Sequence, residues 1–142
     1  MILRALAILA LMPCLATGQE TVDEAAHEAR DAWMNHDVGR LLFGRDQVTL
    51  TLPRAESTRP LSPGQASSLM REFFRNTEEL QFSYEKIGTG TDDQGYIEAS
   101  RDFVIAGTTE IRTQKVIIGF RRISRVWRIF EIRIRGPGSS GG

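Results

Sequence analysis

Two stretches in the first half of the chain repeat apolar residues at helical intervals. In the first, acidic residues separate a set of apolar positions, which predicts an amphipathic helix from Val22, Ala25, Ala26, Ala29, Ala32 and Trp33. The second begins with a capping signal and predicts a helix from Ser62, Pro63, Gln65, Ala66, Leu69, Met70, Phe73 and Phe74. Between them, Asp37 is placed to cap a short turn that Gly44 ends, and VTLTLP at 48–53 predicts a strand.

From residue 80 the period of the pattern changes to two. Leu80, Phe82 and Tyr84 alternate with polar residues, so a strand is expected with these three side chains on its inner face. A hairpin loop at 88–95 leads to a second strand from Tyr96 to about Ile105, and a third strand contains Val116, Ile118 and Phe120. Helices followed by an antiparallel meander predict an α+β domain.

The last strand, ISRVWRIFEIRIRG at 123–136, mixes arginines with large apolar residues. Trp127 and Ile129 share one parity, and Ile132 and Ile134 share the other. One extra residue at Phe130 or Glu131, a β-bulge, would bring all four onto the inner face. The basic residues of the stretch then belong to the outer face of the sheet.

The two ends of the chain differ in composition from the segments that form the predicted domain. MILRALAILALMPCLATGQE combines one arginine, a short apolar run and small residues at 16–18, so residues 1–18 are expected to be a signal peptide. Export to the periplasm or the extracellular space follows, with no transmembrane segment in the mature chain. Cys14, the only cysteine, lies in this segment, and Pro13 before it disfavours lipidation. One domain is expected at 19–135 and a flexible Gly/Ser tail at 136–142.

The charge balance and the sequence motifs argue against three kinds of ligand, namely nucleic acid, metal ions and cofactors. The 18 basic and 18 acidic side chains balance, so no nucleic-acid partner is expected. The only histidines, His27 and His36, lie on or near the first helix without an H-x-x-x-H spacing, so no metal site is expected. GTGTDDQG at 88–95 lacks the third glycine of a phosphate loop, and no cofactor is expected.

With its elements in this order, the chain resembles the nuclear transport factor 2-like superfamily. The likeness lies in LTLP, LSPGQASSLMREFF, FSYEKIG, YIEAS and VWRIFEIRI, and it is similar in particular to small exported proteins of unknown function. It implies a cone in which a curved sheet wraps around the first helix. Ketosteroid isomerase-type members carry a base before the strand-ending proline and a tyrosine on the first helix. Leu52 and Ala29 stand at those positions, and neither side chain moves a proton.

If the cone has a functional pocket, its lining is expected from one set of side chains: Trp33, Phe74, Tyr84, Arg101 and Trp127. Arg101 shares the parity of core residues, and Glu131 lies at the predicted bulge. Either both line a wet cavity, or local bulges turn them outward. The outward alternative is favoured because burying an unpaired charge is costly.

These features favour a non-catalytic domain that binds a small apolar ligand or a protein partner. The alternative is a cofactor-independent lyase, isomerase or hydrolase that uses Arg101, Asp102 or Glu131. Three interpretations of the basic outer face stay open: a solvated surface, the rim of a homodimer interface centred on Ile117 and Phe130, or a surface for an anionic partner.

Overall fold

The computed structural model of the protein describes residues 21–44, 47–53, 55–56 and 59–136. The predicted signal peptide, Cys14 and nearly all of the predicted tail lie outside these residues. Three helices and six strands follow one another in the described part of the chain: α1 Val22–Met34, α2 Val38–Leu41, β1 Thr49–Leu52, β2 Ala55–Glu56, α3 Pro63–Phe74, β3 Thr77–Thr91, β4 Gln94–Ile105, β5 Arg112–Ile123 and β6 Val126–Arg135. None of these helices has the length and apolar character needed to cross a bilayer.

Both long helices begin at capping boxes. The Thr21 hydroxyl accepts from the Glu24 amide at the start of α1, and the Ser62 hydroxyl accepts from the Gln65 amide at the start of α3. In each box the glutamate or glutamine side chain accepts in return from the backbone of the capping residue. These local hydrogen bonds satisfy amide donors that have no partner within the helix. The predicted start of α3 at Ser62 is confirmed.

The end of α1 places a histidine in an unusual backbone conformation. The Asp37 amide donates to the Ala32 carbonyl at 2.8 Å, and the His36 amide donates to the Trp33 carbonyl at 3.0 Å. This pair of hydrogen bonds is the Schellman arrangement, whose left-handed position usually holds glycine. Here that position is His36, with φ of 51°. The turn sends the chain into α2 and directs the imidazole toward the sheet.

The strands form one curved sheet in the order β2-β1-β6-β5-β4-β3. Strands β3 to β6 are an antiparallel meander, and β1 joins its edge parallel to β6, so the sheet is mixed. The predicted hairpin loop at 88–95 is shorter than expected, since β3 runs to Thr91 and only Asp92 and Asp93 form the turn. Ser124 and Arg125 form the tight turn before β6, both with positive φ.

A bulge in β6 fixes which of its side chains reach the core. Gly119 pairs with Glu131 and Phe120 pairs with Ile129, so Phe130 has no partner in the register. Ile129, Ile132 and Ile134 are all buried, as the sequence pattern predicts. They pack with the apolar face of α1, which consists of Ala25, Ala26, Ala29, Ala32 and Trp33.

Candidate functional site

The most polar feature inside the cone is an ion pair between β4 and β3. The Arg101 guanidinium donates to both carboxylate oxygens of Glu79, with 3.1 Å between Nε and Oε2. The side chains of Arg101 and Glu79 are 1% and 0% exposed. The expectation that Arg101 turns outward is therefore wrong. Its burial is tolerated because the opposite charge and two hydrogen bonds lie against it.

A second bulge explains why Glu79 lies inside. Glu79 pairs with Phe103 and Gln81 pairs with Asp102, so Leu80 is the extra residue in β3. Leu80 was expected inside, yet it is 49% exposed, while Glu79 occupies the inner face. A prediction from strict alternation of inner and outer residues misses Glu79, because it does not include this bulge. The signal that indicates it is the inward parity of Arg101, which requires a carboxylate on a neighbouring strand.

Two further polar side chains complete this group. His36 Nε2 lies 3.2 Å from Glu79 Oε1, and the imidazole stacks on the Phe74 ring at 4.2 Å between centroids. Gln114 Oε1 accepts from Arg101 Nη1 at 3.4 Å. The His36 side chain, 26% exposed, is the part of the group that reaches solvent. We call these four residues, His36, Glu79, Arg101 and Gln114, the polar cluster.

Aromatic rings fill the space around the polar cluster. The Arg101 guanidinium lies 4.0 Å from the centroid of Phe103, 4.8 Å from Phe73 and 5.6 Å from Trp33. Burial lowers the pKa of the Arg101 guanidinium, and the Glu79 carboxylate opposes that shift. The Arg101 and Glu79 side chains are thus enclosed by these rings.

The five predicted pocket residues do not form one site. Trp33, Phe74 and Arg101 come together in the closed interior, where Trp33 and Phe74 meet edge to face at 5.0 Å. Tyr84 contacts Phe82, which in turn contacts Trp33, and the Tyr84 hydroxyl donates to the Ala26 carbonyl nearer the start of α1. Burial raises the pKa of Tyr84 to about 12. Trp127 lines a cleft beside the N-terminal half of α1, and none of the other four is among the residues of that cleft.

That cleft is an open cavity with a volume of about 380 Å³. We call it the α1–β6 cleft. Its walls come from α1, from α2 and the turn that follows it, and from β5 and β6: Ala25, Glu28, Ala29, Gly39, Arg40, Leu41, Phe43, Phe120, Val126, Trp127, Arg128 and Ile129. Most of these side chains are apolar. Phe43 stands at the mouth and is 69% exposed, although exposure of so large an apolar side chain is unfavourable in water.

The residues considered for catalysis lie apart from one another. The Asp102 carboxylate accepts from the Thr113 hydroxyl at 2.7 Å on the outer face of the sheet. Glu131 pairs with Arg133, also on the outer face, so the expectation of an outward Glu131 holds. Arg101 is held inside by Glu79. Across the residues that the structure describes, no three His, Cys, Asp or Glu side chains are placed to hold a metal ion.

Solved structures share this architecture. A DUF4783 family protein from Bacteroides uniformis superposes with a TM-score of 0.66 at 18% identity, over 80% of this chain and 97% of that one. A ketosteroid isomerase-like protein from Erwinia carotovora atroseptica gives 0.65 at 11% identity, over 82% and 94% of the two chains. An LEH-like epoxide hydrolase from M. tuberculosis gives 0.56 at 15% identity, over 81% and 77%.

The chain has the nuclear transport factor 2-like fold. No sequence-family model matches it, and no curated protein matches it. Ala29 and Leu52, the residues that the resemblance assigns to the tyrosine and the base of the isomerase type, are both buried and apolar. Large buried side chains such as Trp33, Phe82 and Arg101 lie inside the cone, and the α1–β6 cleft is one of its open cavities.

Proposed function

We propose that the protein is a non-catalytic binding domain that takes a small, largely apolar ligand in the α1–β6 cleft. The observation that carries the proposal is the cleft itself, whose volume of about 380 Å³ falls in the range of small-molecule sites. Trp127 offers aromatic surface within it, and Phe43 flanks its mouth. An apolar ligand would cover the exposed ring of Phe43 and gain the free energy of that burial.

The residues of the cleft favour binding over chemistry. Glu28 is the one carboxylate among the described lining residues, and no histidine is among them. General acid–base catalysis requires a proton-transferring side chain within hydrogen-bond reach of the substrate, and Glu28 is the one carboxylate that the described lining residues offer. The polar cluster has such groups, but Glu79 and Arg101 are closed off from ligand by the rings around them.

A neutral fluorescent probe tests the proposal. N-phenyl-1-naphthylamine is expected to bind with an increase in its fluorescence, and Phe43→Ala is expected to weaken binding about tenfold because an apolar contact is lost. Ile111→Ala is the matched control. Ile111 is also a large exposed apolar residue, at 63%, but it is not among the residues that line the cleft. A probe that does not bind, or that binds both variants like the wild type, contradicts the proposal.

We also propose that the domain acts outside the cytoplasm, in the periplasm or the extracellular space. The support is the charged start, short apolar run and small residues of positions 1–18. Intact mass of the protein recovered from culture tests this. A chain that begins at Gln19 is expected, whereas a chain that keeps Met1, or one that begins at an acylated Cys14, contradicts it.

A second proposal concerns a protein partner, a second copy of this chain. Ile117 and Phe130 are half-buried on the outer face of the sheet. The Phe130 ring covers Gly119, where a Cβ atom would come within 3.0 Å of it, and the Arg121 guanidinium lies 4.8 Å from its centroid. An apolar centre with an arginine at its rim is the composition of many protein interfaces.

A further inference from the structure

Two arginines line the α1–β6 cleft, and both already have partners in the protein. Arg40 pairs with the Asp31 carboxylate of α1, with 3.8 Å between Nη1 and Oδ2. The Arg128 guanidinium lies over the ring of Phe43, 5.3 Å from the centroid, and Arg128 has further interactions in the structure. Neither arginine is therefore a free cation at which an anionic ligand would bind.

A third arginine contacts the wall of the cleft through Trp127. The Arg122 guanidinium lies 5.7 Å from the centroid of the Trp127 ring and pairs with the Asp93 carboxylate at 3.3 Å. A cation over the face of an aromatic ring is attracted by the negative charge of that face. Arg122 and Arg128 are thus engaged by the aromatic rings of the cleft and belong to the structure of its wall.

Carboxylates offset the arginines around the cleft. Glu28 lines it and Asp31 lies beside Arg40, so two carboxylates stand against the two lining arginines. The Asp37 carboxylate accepts from the Arg40 amide at 3.1 Å and is engaged as the cap of α2. Among the described residues around the cleft, the carboxylates therefore cancel the attraction that the arginines alone would exert on an anion.

An ionised ligand would gain little from this arrangement. An anion is drawn to the arginines but repelled by Glu28 and Asp31. A cation is drawn to Glu28 but repelled by Arg40 and Arg128. Moving an ion from water into a largely apolar cleft costs free energy unless an opposite charge pairs with it. An uncharged apolar molecule has no such cost and gains the burial of its surface against the walls.

We propose that the α1–β6 cleft selects an uncharged apolar molecule and discriminates against ions of either sign. The arginines at the cleft make contacts within the protein and are not sites for a charged head group. The inference rests on the proposed function and specifies the ligand class of the same site. Long-chain alcohols, esters and hydrocarbons have the required chemistry.

Displacement of N-phenyl-1-naphthylamine by three compounds with the same ten-carbon chain tests this: decan-1-ol, decanoate and decyltrimethylammonium. Each is used below the concentration at which it forms micelles. The alcohol is expected to bind at least about tenfold more tightly than either ion. Its advantage is expected to persist at both low and high NaCl, because an ion that gains no net attraction has none for salt to screen.

Two variants shift the charge balance in opposite directions. Asp31→Asn releases Arg40 and is expected to raise the affinity for decanoate relative to decan-1-ol severalfold. Arg40→Gln releases Asp31 and is expected to raise the relative affinity for decyltrimethylammonium. Misfolding cannot produce either gain, and both side chains are more than half exposed, so their ion pair contributes little to stability. Glu110→Gln is the matched control. It breaks an exposed ion pair of the same length, 3.8 Å, with Arg112 outside the residues that line the cleft, and it is expected to alter neither ratio.

The two levels of the proposal fail differently. If the probe binds but either ion displaces it as well as decan-1-ol does, the preference for an uncharged ligand is overturned and the apolar site stands. The inference is likewise overturned if the alcohol is preferred but Asp31→Asn and Arg40→Gln leave both ratios unchanged, because the charge balance is then not the cause. If the probe does not bind at all, the cleft is not the binding site, and both proposals fall.

Discussion

Glu79 and Arg101 form a hydrogen-bonded ion pair inside the cone, although they come from different strands and lie 22 positions apart in the chain. Their side chains are almost completely closed off from water. A charge in such a place is stable only while its partner remains, since the desolvation of each ion is offset by the other. The pair thus ties the start of β3 to β4, and His36 links both to the end of α1.

Removal of one partner is expected to be costly. Glu79→Gln leaves the Arg101 guanidinium buried without a countercharge, so we expect a loss of about 3–5 kcal/mol in the free energy of unfolding, measured by urea denaturation. Glu85→Gln is the matched control, since it breaks the exposed ion pair of Glu85 with Lys115 and is expected to cost at most about 1 kcal/mol. Equal losses in the two variants would show that water reaches Arg101.

The burial of the Tyr84 hydroxyl against α1 makes stability depend on alkaline pH. Burial raises the pKa of Tyr84 to about 12, above its ordinary value of 10.0, so the folded state holds the phenol proton more tightly than the unfolded chain does. This contribution is complete below pH 10.0 and is lost as the pH rises through about 12. Thermal melts across this range are expected to show a smaller decline for Tyr84→Phe than for the wild type. The variant Tyr96→Phe retains Tyr84 and is expected to decline as the wild type does.

Self-association through the outer face predicts a concentration-dependent sedimentation coefficient. Ile117→Glu places a charge at the centre of the proposed interface and is expected to give a monomer at every concentration. Ile111→Glu, at an exposed apolar position away from Ile117 and Phe130, is expected to associate like the wild type. A wild-type protein that stays monomeric at high concentration would mean that the outer face is simply solvated.

Local signals in the sequence predicted several elements well. The Ser62 capping box is encoded by residues three positions apart, and α3 begins where that pattern indicates. The bulge at Phe130 was also predictable, because the apolar residues of β6 change parity at that point. In both cases the information lies within a few consecutive residues.

The buried ion pair was not predictable in the same way. Arg101 has the parity of a core residue, but its orientation depends on a carboxylate in another strand. The Glu79 carboxylate reaches the interior because β3 has a bulge at Leu80. Strict alternation with Phe82 instead predicts Leu80 on the inner face and Glu79 on the outer face. The five predicted pocket residues lie in different parts of the domain for a similar reason. Trp33 and Trp127 belong to opposite ends of α1, which only the packing of β6 against the helix decides.

The most direct test of the proposed binding site uses the two tryptophan indole N–H signals in a ¹H–¹⁵N correlation spectrum. Trp127 lines the α1–β6 cleft, whereas Trp33 is fully buried beside the polar cluster. The spectrum of Trp127→Phe assigns the two signals. Titration with N-phenyl-1-naphthylamine is expected to shift the Trp127 signal progressively and to leave the Trp33 signal in place. A shift of the Trp33 signal with an unchanged Trp127 signal would place the ligand inside the cone and contradict a site in the cleft.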